Sequence, residues 1–225
     1  MLTALIVAAG SSRRMGDLGD KIFLPILGRP LIVHTLAPFC RSSDVDEIVL
    51  VTAEESVTKL RQMVLTYRIE KVTAIVAGGS SRQESVARGL ASLSPSCQMV
   101  AIHDGARPCL GDEQLQAVLQ LARAKGAAIL AVPVKDTIKR VRAGLAVETP
   151  ERSELFLAQT PQAFRRQWIE DAHQQARALG LLATDDAALV TASGRAVAVA
   201  EGDYTNIKVT TPEDLLLAEL FLSRR

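Results

Sequence analysis

The 225-residue chain is poor in aromatic residues, which make up 4% of it, and it has only three cysteines, Cys40, Cys97 and Cys109, at wide spacing. It has no C-x-x-C pair and no Cys/His cluster, so the sequence offers neither a structural zinc site nor a disulfide framework. Neither sign of charge is in excess: 26 Lys and Arg stand against 25 Asp and Glu, a net +1. A surface that neutralises many backbone phosphates needs a strong positive balance, so nucleic acid is not an expected partner. No apolar run reaches the roughly 18 residues of a membrane span. The opening MLTALIVAAGSSRRMG sets its apolar run ahead of its basic residues, the reverse of a secretory signal. These absences predict a cytoplasmic protein without a membrane partner, in which the basic residues act locally.

What is present is 48% hydrophobic content in a length suited to one substantial core, so residues 1–225 are expected to form one domain. Apolar, β-rich runs at 5–10, 47–53, 74–79, 99–105 and 127–134 end in Gly, His-Asp or Pro. Such near-continuous runs predict strands buried on both faces. Segments with helical spacing at 30–39, 54–66, 82–93 and 112–125 separate them. The alternation predicts an α/β, Rossmann-like fold: a mostly parallel twisted sheet flanked by helices, with ligands at the carboxyl ends of the strands. Residues 135–152 break the pattern, because Thr137, Ile138, Val141 and Val147 flank an Arg-Ala-Gly turn without helical spacing. They predict a projecting β-hairpin arm. Beyond it the sequence predicts a helix from Phe164 to Leu179, a short helix opened by Thr184 and Asp185, and strands at 196–202 and 206–210. A last helix opens at Thr211-Pro212-Glu213-Asp214, a cap residue followed by proline and acids.

Several segments combine residue types that carry chemistry. Gly10-Ser11-Ser12-Arg13-Arg14-Met15-Gly16 follows the first strand and puts small residues and two guanidinium groups at the sheet edge, where a polyanion would bind. It lacks the Gly-Lys-Ser/Thr of a P-loop and the G-x-G-x-x-G spacing of a dinucleotide site. A surface loop with solvated arginines fits the same residues. Gly78-Gly79-Ser80-Ser81-Arg82-Gln83-Glu84-Ser85-Val86 joins a strand to a helix, and its glycines let a flat ring approach the backbone or simply form a capped turn. His103-Asp104-Gly105-Ala106-Arg107-Pro108 crowds a carboxylate and a guanidinium at a strand end, in a binding site or a plain ion pair. Asp136-Thr137-Ile138-Lys139 fits an exposed hairpin, and Thr184-Asp185-Asp186 reads as helix capping.

Taken together these motifs are similar to those of known enzymes. A-A-G-x-x-x-R-M-G with Lys21, Leu24, Pro25, Gly28 and Pro30 resembles the opening signature of sugar-phosphate nucleotidyltransferases. G-G-x-x-R-x-x-S-V, H-D-G-A-R-P, D-T-x-K, T-P-Q and N-I-K-V-T with P-E-D resemble the 2-C-methyl-D-erythritol 4-phosphate cytidylyltransferases, in family order from Leu2 to Leu222. The resemblance implies transfer of CMP from CTP to that polyol phosphate in non-mevalonate isoprenoid synthesis, with Mg2+ and a homodimer formed through the arm. It implies Arg14 and Lys21 as transition-state stabilisers, with Arg152 and Lys208 also catalytic. It places Ala8, Ala9, Gly10, Ser11 and Ser12 around the triphosphate, and Gly79, Ser80 and Ser85 on the cytosine. Asp104 would hold the metal and, with Arg107, Thr137, Arg152, Thr160 and Lys208, the acceptor. His103 is expected to be structural, since a phosphate acceptor is already an anionic nucleophile. The chain departs from the pattern at Asp20-Lys21-Ile22, where relatives commonly read Pro-Lys-Gln, and at Ser80, where many carry an acid. Two rival readings are a ribitol 5-phosphate cytidylyltransferase and a CTP-binding sensor without turnover.

Overall fold

The computed structural model describes residues 1–10 and 20–225. Strands and helices alternate as the apolar runs predict: β1 (Leu2–Ala8), the short pair β2 (Pro25–Ile26) and β3 (Arg29–Pro30), α1 (Leu31–Arg41), β4 (Glu47–Thr52), α2 (Val57–Thr66), β5 (Val72–Ala77), α3 (Arg82–Ala91), β6 (Met99–Asp104), α4 (Asp112–Lys125) and β7 (Ala127–Pro133). The arm follows as β8 (Arg140–Arg142) and β9 (Leu145–Glu148), then β10 (Phe156–Arg165), α5 (Arg166–Leu179), α6 (Asp186–Ala192), β11 (Ala198–Glu201) and α7 (Pro212–Ser223). Seven strands form one sheet in the order β11-β7-β10-β6-β1-β4-β5. Every pairing is parallel except those of β10, which runs antiparallel to both β6 and β7.

The alternation of side chains along β1 divides the core in two. Leu2, Ala4 and Ile6 pack with Ile32, Leu36 and Phe39 of α1, Leu60 of α2 and Leu115 to Ala122 of α4. Leu5 faces the other way, onto Val86 and Leu90 of α3, Ile169 and Ala172 of α5 and Val190 of α6. Helices thus cover both faces, which is why the parallel strands are apolar throughout. The chain leaves β1 toward β4 and β5 and then returns to β6 on the opposite side, so the order reverses between β1 and β6. A reversal of this kind opens a crevice at the strands' carboxyl ends.

Two expectations need correction. Residues 206–210 form no strand: they are an irregular segment tied to the end of β6 by Val209 N–H donating to Ala106 O at 2.8 Å. The run 156–165, where the sequence shows only the T-P-Q motif ahead of a helix, is the ten-residue strand β10, and α5 starts at Arg166 rather than Phe164. β10 buries Gln159, Thr160 and Gln162 and carries a register shift between Ala158 and Gln162, next to Pro161. Polar buried residues and a proline at a bulge conceal a strand from any apolar periodicity.

The arm forms a two-stranded sheet of its own. Ala143 and Gly144 both take positive φ, 47° and 79°, the two-residue turn whose twist matches a hairpin. Arg140 and Glu148 close its open end at 2.6 Å. All residues from 137 to 149 are exposed. Among the described residues, no helix is long and apolar enough to cross a membrane.

Candidate active site

A cleft of about 550 Å³ opens at the order reversal, and residues far apart in sequence meet in it. Ala8, Ala9 and Gly10 come from the end of β1, Lys21 from a 3-10 turn at Lys21–Phe23, and Gly79, Ser80 and Ser85 from the junction of β5 and α3. Asp104 comes from the last position of β6 and Lys208 from the segment before α7. The loops after β1 and β5 approach each other so closely that a Cβ on Gly78 would collide with Ala9 Cβ and fall 2.8 Å from Ser85 Oγ. Arg14, Ser11 and Ser12 lie outside the described residues.

Asp104 is the electrostatic centre of the cleft. Its Oδ2 accepts from Lys208 Nζ at 2.9 Å and from Arg107 Nε at 3.4 Å, and its Oδ1 accepts from Arg82 Nε at 3.3 Å. Burial by itself would raise the Asp104 pKa; the charges of Lys208, Arg82 and Arg107 outweigh it and hold the carboxyl well below the usual range. A buried charge is tolerated on this condition of being paired, and removing one partner of such a pair typically costs about 3–5 kcal/mol.

Two expected acceptor residues stand behind Asp104 and do not line the cleft. Arg107, 12% exposed, spans from Asp104 to the carbonyl of Asn206, which accepts from its Nη1 at 2.7 Å. Arg107 thereby fixes the segment that carries Lys208. Burial lowers the Arg107 pKa against the pull of Asp104, although a guanidinium stays charged in proteins. Thr160 is buried, and its hydroxyl accepts from the Asp104 N–H at 3.1 Å and meets His103 Nδ1 at 2.9 Å. His103 Nε2 lies 3.2 Å from Arg107 O, an atom that can only accept, so Nε2 carries the hydrogen and Nδ1 accepts from Thr160. Burial pushes the His103 pKa down to about 4. The ring is therefore neutral at pH 7 and serves as a strut. Thr137 and Arg152 sit on the exposed arm; Arg152 Nη1 donates to Lys135 O at 3.0 Å, and neither residue lines the cleft.

The loop at residues 78–81 is braced from outside. Ser85 Oγ accepts from Gly79 N–H at 3.0 Å and donates to Ser81 O at 2.8 Å. Ser80 donates both its N–H and its hydroxyl to Glu84, at 2.8 and 2.7 Å. Arg88 joins Glu84 at 2.7 Å and Gly78 O at 2.8 Å. Hydrogen bonds from Ser80 pull the Glu84 pKa down to about 2.

Arg82, absent from the set expected from sequence although it lies in one of its motifs, borders the cleft and bridges Asp104 to Asp186. Burial would lower its pKa, but the two carboxylates raise it above its usual value. Of the two acids that open α6, Asp185 caps the helix, accepting from Ala188 N–H at 2.9 Å, and Asp186 turns to Arg82. A second acid in the first turn of a helix is ordinary helix chemistry, so the sequence carries no separate signal for this role.

A divalent metal can be tested against this donor set. Among the described residues, no cluster of three or more His, Cys, Asp or Glu could hold an ion, and Asp104 is the only carboxylate that lines the cleft. One carboxylate supplemented by substrate phosphates is a normal donor set for a hard cation that keeps several waters, so the residues fit a metal carried in with a polyphosphate.

Comparison with known proteins gives a consistent picture. Residues 2–224 match the model of a family described as IspD, 2-C-methyl-D-erythritol 4-phosphate cytidylyltransferase. Curated relatives of that description include one from Geotalea uraniireducens, 47% identical over 98% of this chain and 96% of the relative. Another, from Alkaliphilus metalliredigens, is 44% identical over 100% of this chain and 94% of the relative. Among solved structures, the 4-diphosphocytidyl-2C-methyl-D-erythritol synthase of Anaerococcus prevotii superposes with a TM-score of 0.89 at 31% identity, covering 100% of this chain and 99% of that one. The 2-C-methyl-D-erythritol 4-phosphate cytidylyltransferase of Thermus thermophilus gives 0.79 at 34%, covering 98% of each chain.

Proposed function

The chain belongs to the 2-C-methyl-D-erythritol 4-phosphate cytidylyltransferase family, and from that premise we propose how its own residues divide the work. It is a nucleotidyltransferase: CMP passes from CTP to 2-C-methyl-D-erythritol 4-phosphate, pyrophosphate leaves, and 4-diphosphocytidyl-2C-methyl-D-erythritol forms. An oxygen of the acceptor phosphate attacks the α-phosphorus in line; the new P–O bond replaces the bond to the β-phosphate oxygen. The nucleophile is already an anion, so no general base is needed, in keeping with a neutral, buried His103. Such a reaction gains mostly from alignment and charge placement.

The nucleotide half lies along the ends of β1 and β5. Ala8, Ala9 and Gly10, continued by Ser11 and Ser12, wrap the triphosphate, while Arg14 and Lys21 neutralise charge that builds on the α-phosphorus. Gly79, Ser80 and Ser85 read the cytosine. The acceptor half centres on Lys208, with Asp104 beside it, backed by Arg107 and Thr160. Thr137 and Arg152 complete it from the arm, which carries the exposed apolar residues Val141, Leu145 and Val147 and fits a homodimer in which the arm serves the neighbour's site. Enzymes of this family generally use a divalent metal. We take it to be Mg2+, held by Asp104, and bound there it would gather the triphosphate oxygens and withdraw charge from them. The three unpaired cysteines suit a reducing compartment such as the cytoplasm, and the net charge of +1 gives no nucleic-acid footprint.

The observation that carries this reading is the meeting of Lys21, Asp104 and Lys208 in one cleft with the loop at residues 78–81. Lys208 weighs against a mere CTP sensor, which has no use for a cation on the acceptor side. The test is pyrophosphate release with CTP and Mg2+, offered 2-C-methyl-D-erythritol 4-phosphate or ribitol 5-phosphate. Release with the former alone is expected. Release with ribitol 5-phosphate alone would reassign the acceptor, and CTP binding without release would return the sensor.

A further inference from the structure

Asp186 opens α6 with 1% of its side chain exposed and does not line the cleft. A buried ion pair adds little stability over well-packed apolar groups, so a carboxylate kept in such a place calls for another role. Its contacts come from three elements. Arg82 of α3 donates from Nη1 to Oδ2 at 2.7 Å, and His173 of α5 donates from Nε2 to Oδ1 at 3.3 Å. Gln162 of β10 accepts the Asp186 N–H at 3.1 Å and the Ala187 N–H at 3.0 Å. Backbone and carboxylate are therefore both fixed, and through them so is one edge of Arg82. The Nε edge of the same guanidinium faces Asp104 Oδ1, the oxygen that Lys208 leaves open.

An arginine on a cleft wall has several rotatable bonds, and an arriving triphosphate would draw it away from Asp104. A short charge-assisted bond to an immobile carboxylate prevents that. We propose that Asp186 is a positioning residue for nucleotidyl transfer: it never touches substrate, but it pins Arg82 so that Asp104 keeps one orientation between Arg82 and Lys208 when both substrates are bound. The inference rests on the transfer reading above and adds to it a residue of α6, an element with no other part in the site.

The experiment is a double-mutant cycle of Asp186→Asn and Arg82→Gln, with Arg82→Lys as a third variant. Turnover, CTP affinity in the absence of acceptor, and thermal midpoint are measured for each. If Asp186 acts through Arg82, each single variant loses about tenfold in kcat with CTP affinity changed less than about threefold, and the double variant is no slower than Arg82→Gln alone. Arg82→Lys keeps a charge but cannot bridge two carboxylates through one rigid fork, so it should be as slow as Asp186→Asn. Losses that add in the cycle, normal kcat in Asp186→Asn, or normal kcat in Arg82→Lys would each overturn the inference. Should Asp186→Asn not fold, the Arg82→Lys turnover decides alone. Wild-type protein that releases no pyrophosphate sinks the transfer reading itself, whereas active wild type with additive losses sinks only the role of Asp186.

Discussion

The cleft and the arm are built by opposite rules. In the cleft, Asp104 is buried beneath three cations, and even its backbone N–H is taken up by Thr160. In the arm, every residue from 137 to 149 is exposed, with Leu145 at 70%, and among the described residues the strands pair only with each other. One region is held rigid by its own chain. The other presents exposed apolar side chains, Val141, Leu145 and Val147, in one short hairpin. Under the function proposed above, the contrast would divide the reaction: the nucleotide side would be assembled within one subunit, and Thr137 and Arg152 would be placed by a neighbour.

The sharpest way to break that division is at the cleft. Lys21→Ala and Lys208→Ala should each lower kcat by roughly 10²–10³ while the fold survives, the usual cost of deleting one preorganised donor. Steady-state kinetics and circular dichroism check this, and Lys208→Ala should also raise the acceptor KM. Near-normal turnover in either would remove it from the chemistry. A smaller effect is expected on the arm: Arg152→Ala should raise the acceptor KM by about tenfold and leave CTP affinity unchanged. Mixing that variant with a Lys208→Ala partner should restore part of the activity if the arm crosses between subunits, and none if it folds back on its own.

The third effect is on stability rather than rate. The folded pKa of His103, about 4, lies below the ordinary 6.5, so between those values the unfolded chain binds a proton that the folded chain refuses. Stability is therefore full above about pH 6.5 and falls as pH drops toward 4, by about 3 kcal/mol at most. Asp104, held below the usual carboxylate range, adds its own loss only below about pH 4. Urea titrations from pH 7 to 4 should show the slope, and His103→Gln should flatten it; an unchanged slope would mean that the ring takes up its proton alike in the folded and unfolded chain.

What could be read beforehand follows from where the physics is local. The strands β1 and β4 to β7 announce themselves because burial on both faces demands unbroken apolar runs. The hairpin turn at Ala143–Gly144 is equally local. β10 could not be read, because Gln159, Thr160 and Gln162 satisfy their polar groups with partners far off in the chain, among them Asn206 and Asp186. For the same reason the segment 206–210 passed for a strand: Arg107 and Ala106, a hundred residues away, supply its backbone partners. In the cleft, the resemblance of their motifs pointed to Lys21, Asp104 and Lys208, whereas the bracing by Arg82, Asp186 and Glu84 exists only as geometry. Thr160 and Arg107 stand out within their motifs, but only the fold shows that both hold Asp104 from behind.

The reversed direction of β10 has a consequence for how such a protein can change. A strand that runs against its neighbours begins where they finish, so the chain leaves β7 at Pro133 and re-enters the sheet opposite it at Phe156. Everything between those two points is delivered to the rim without disturbing a single buried pairing. That interval works as a splice port: on the proposed placement of Thr137 and Arg152, a change confined to it would alter the acceptor side and leave the strands that carry the nucleotide side in place.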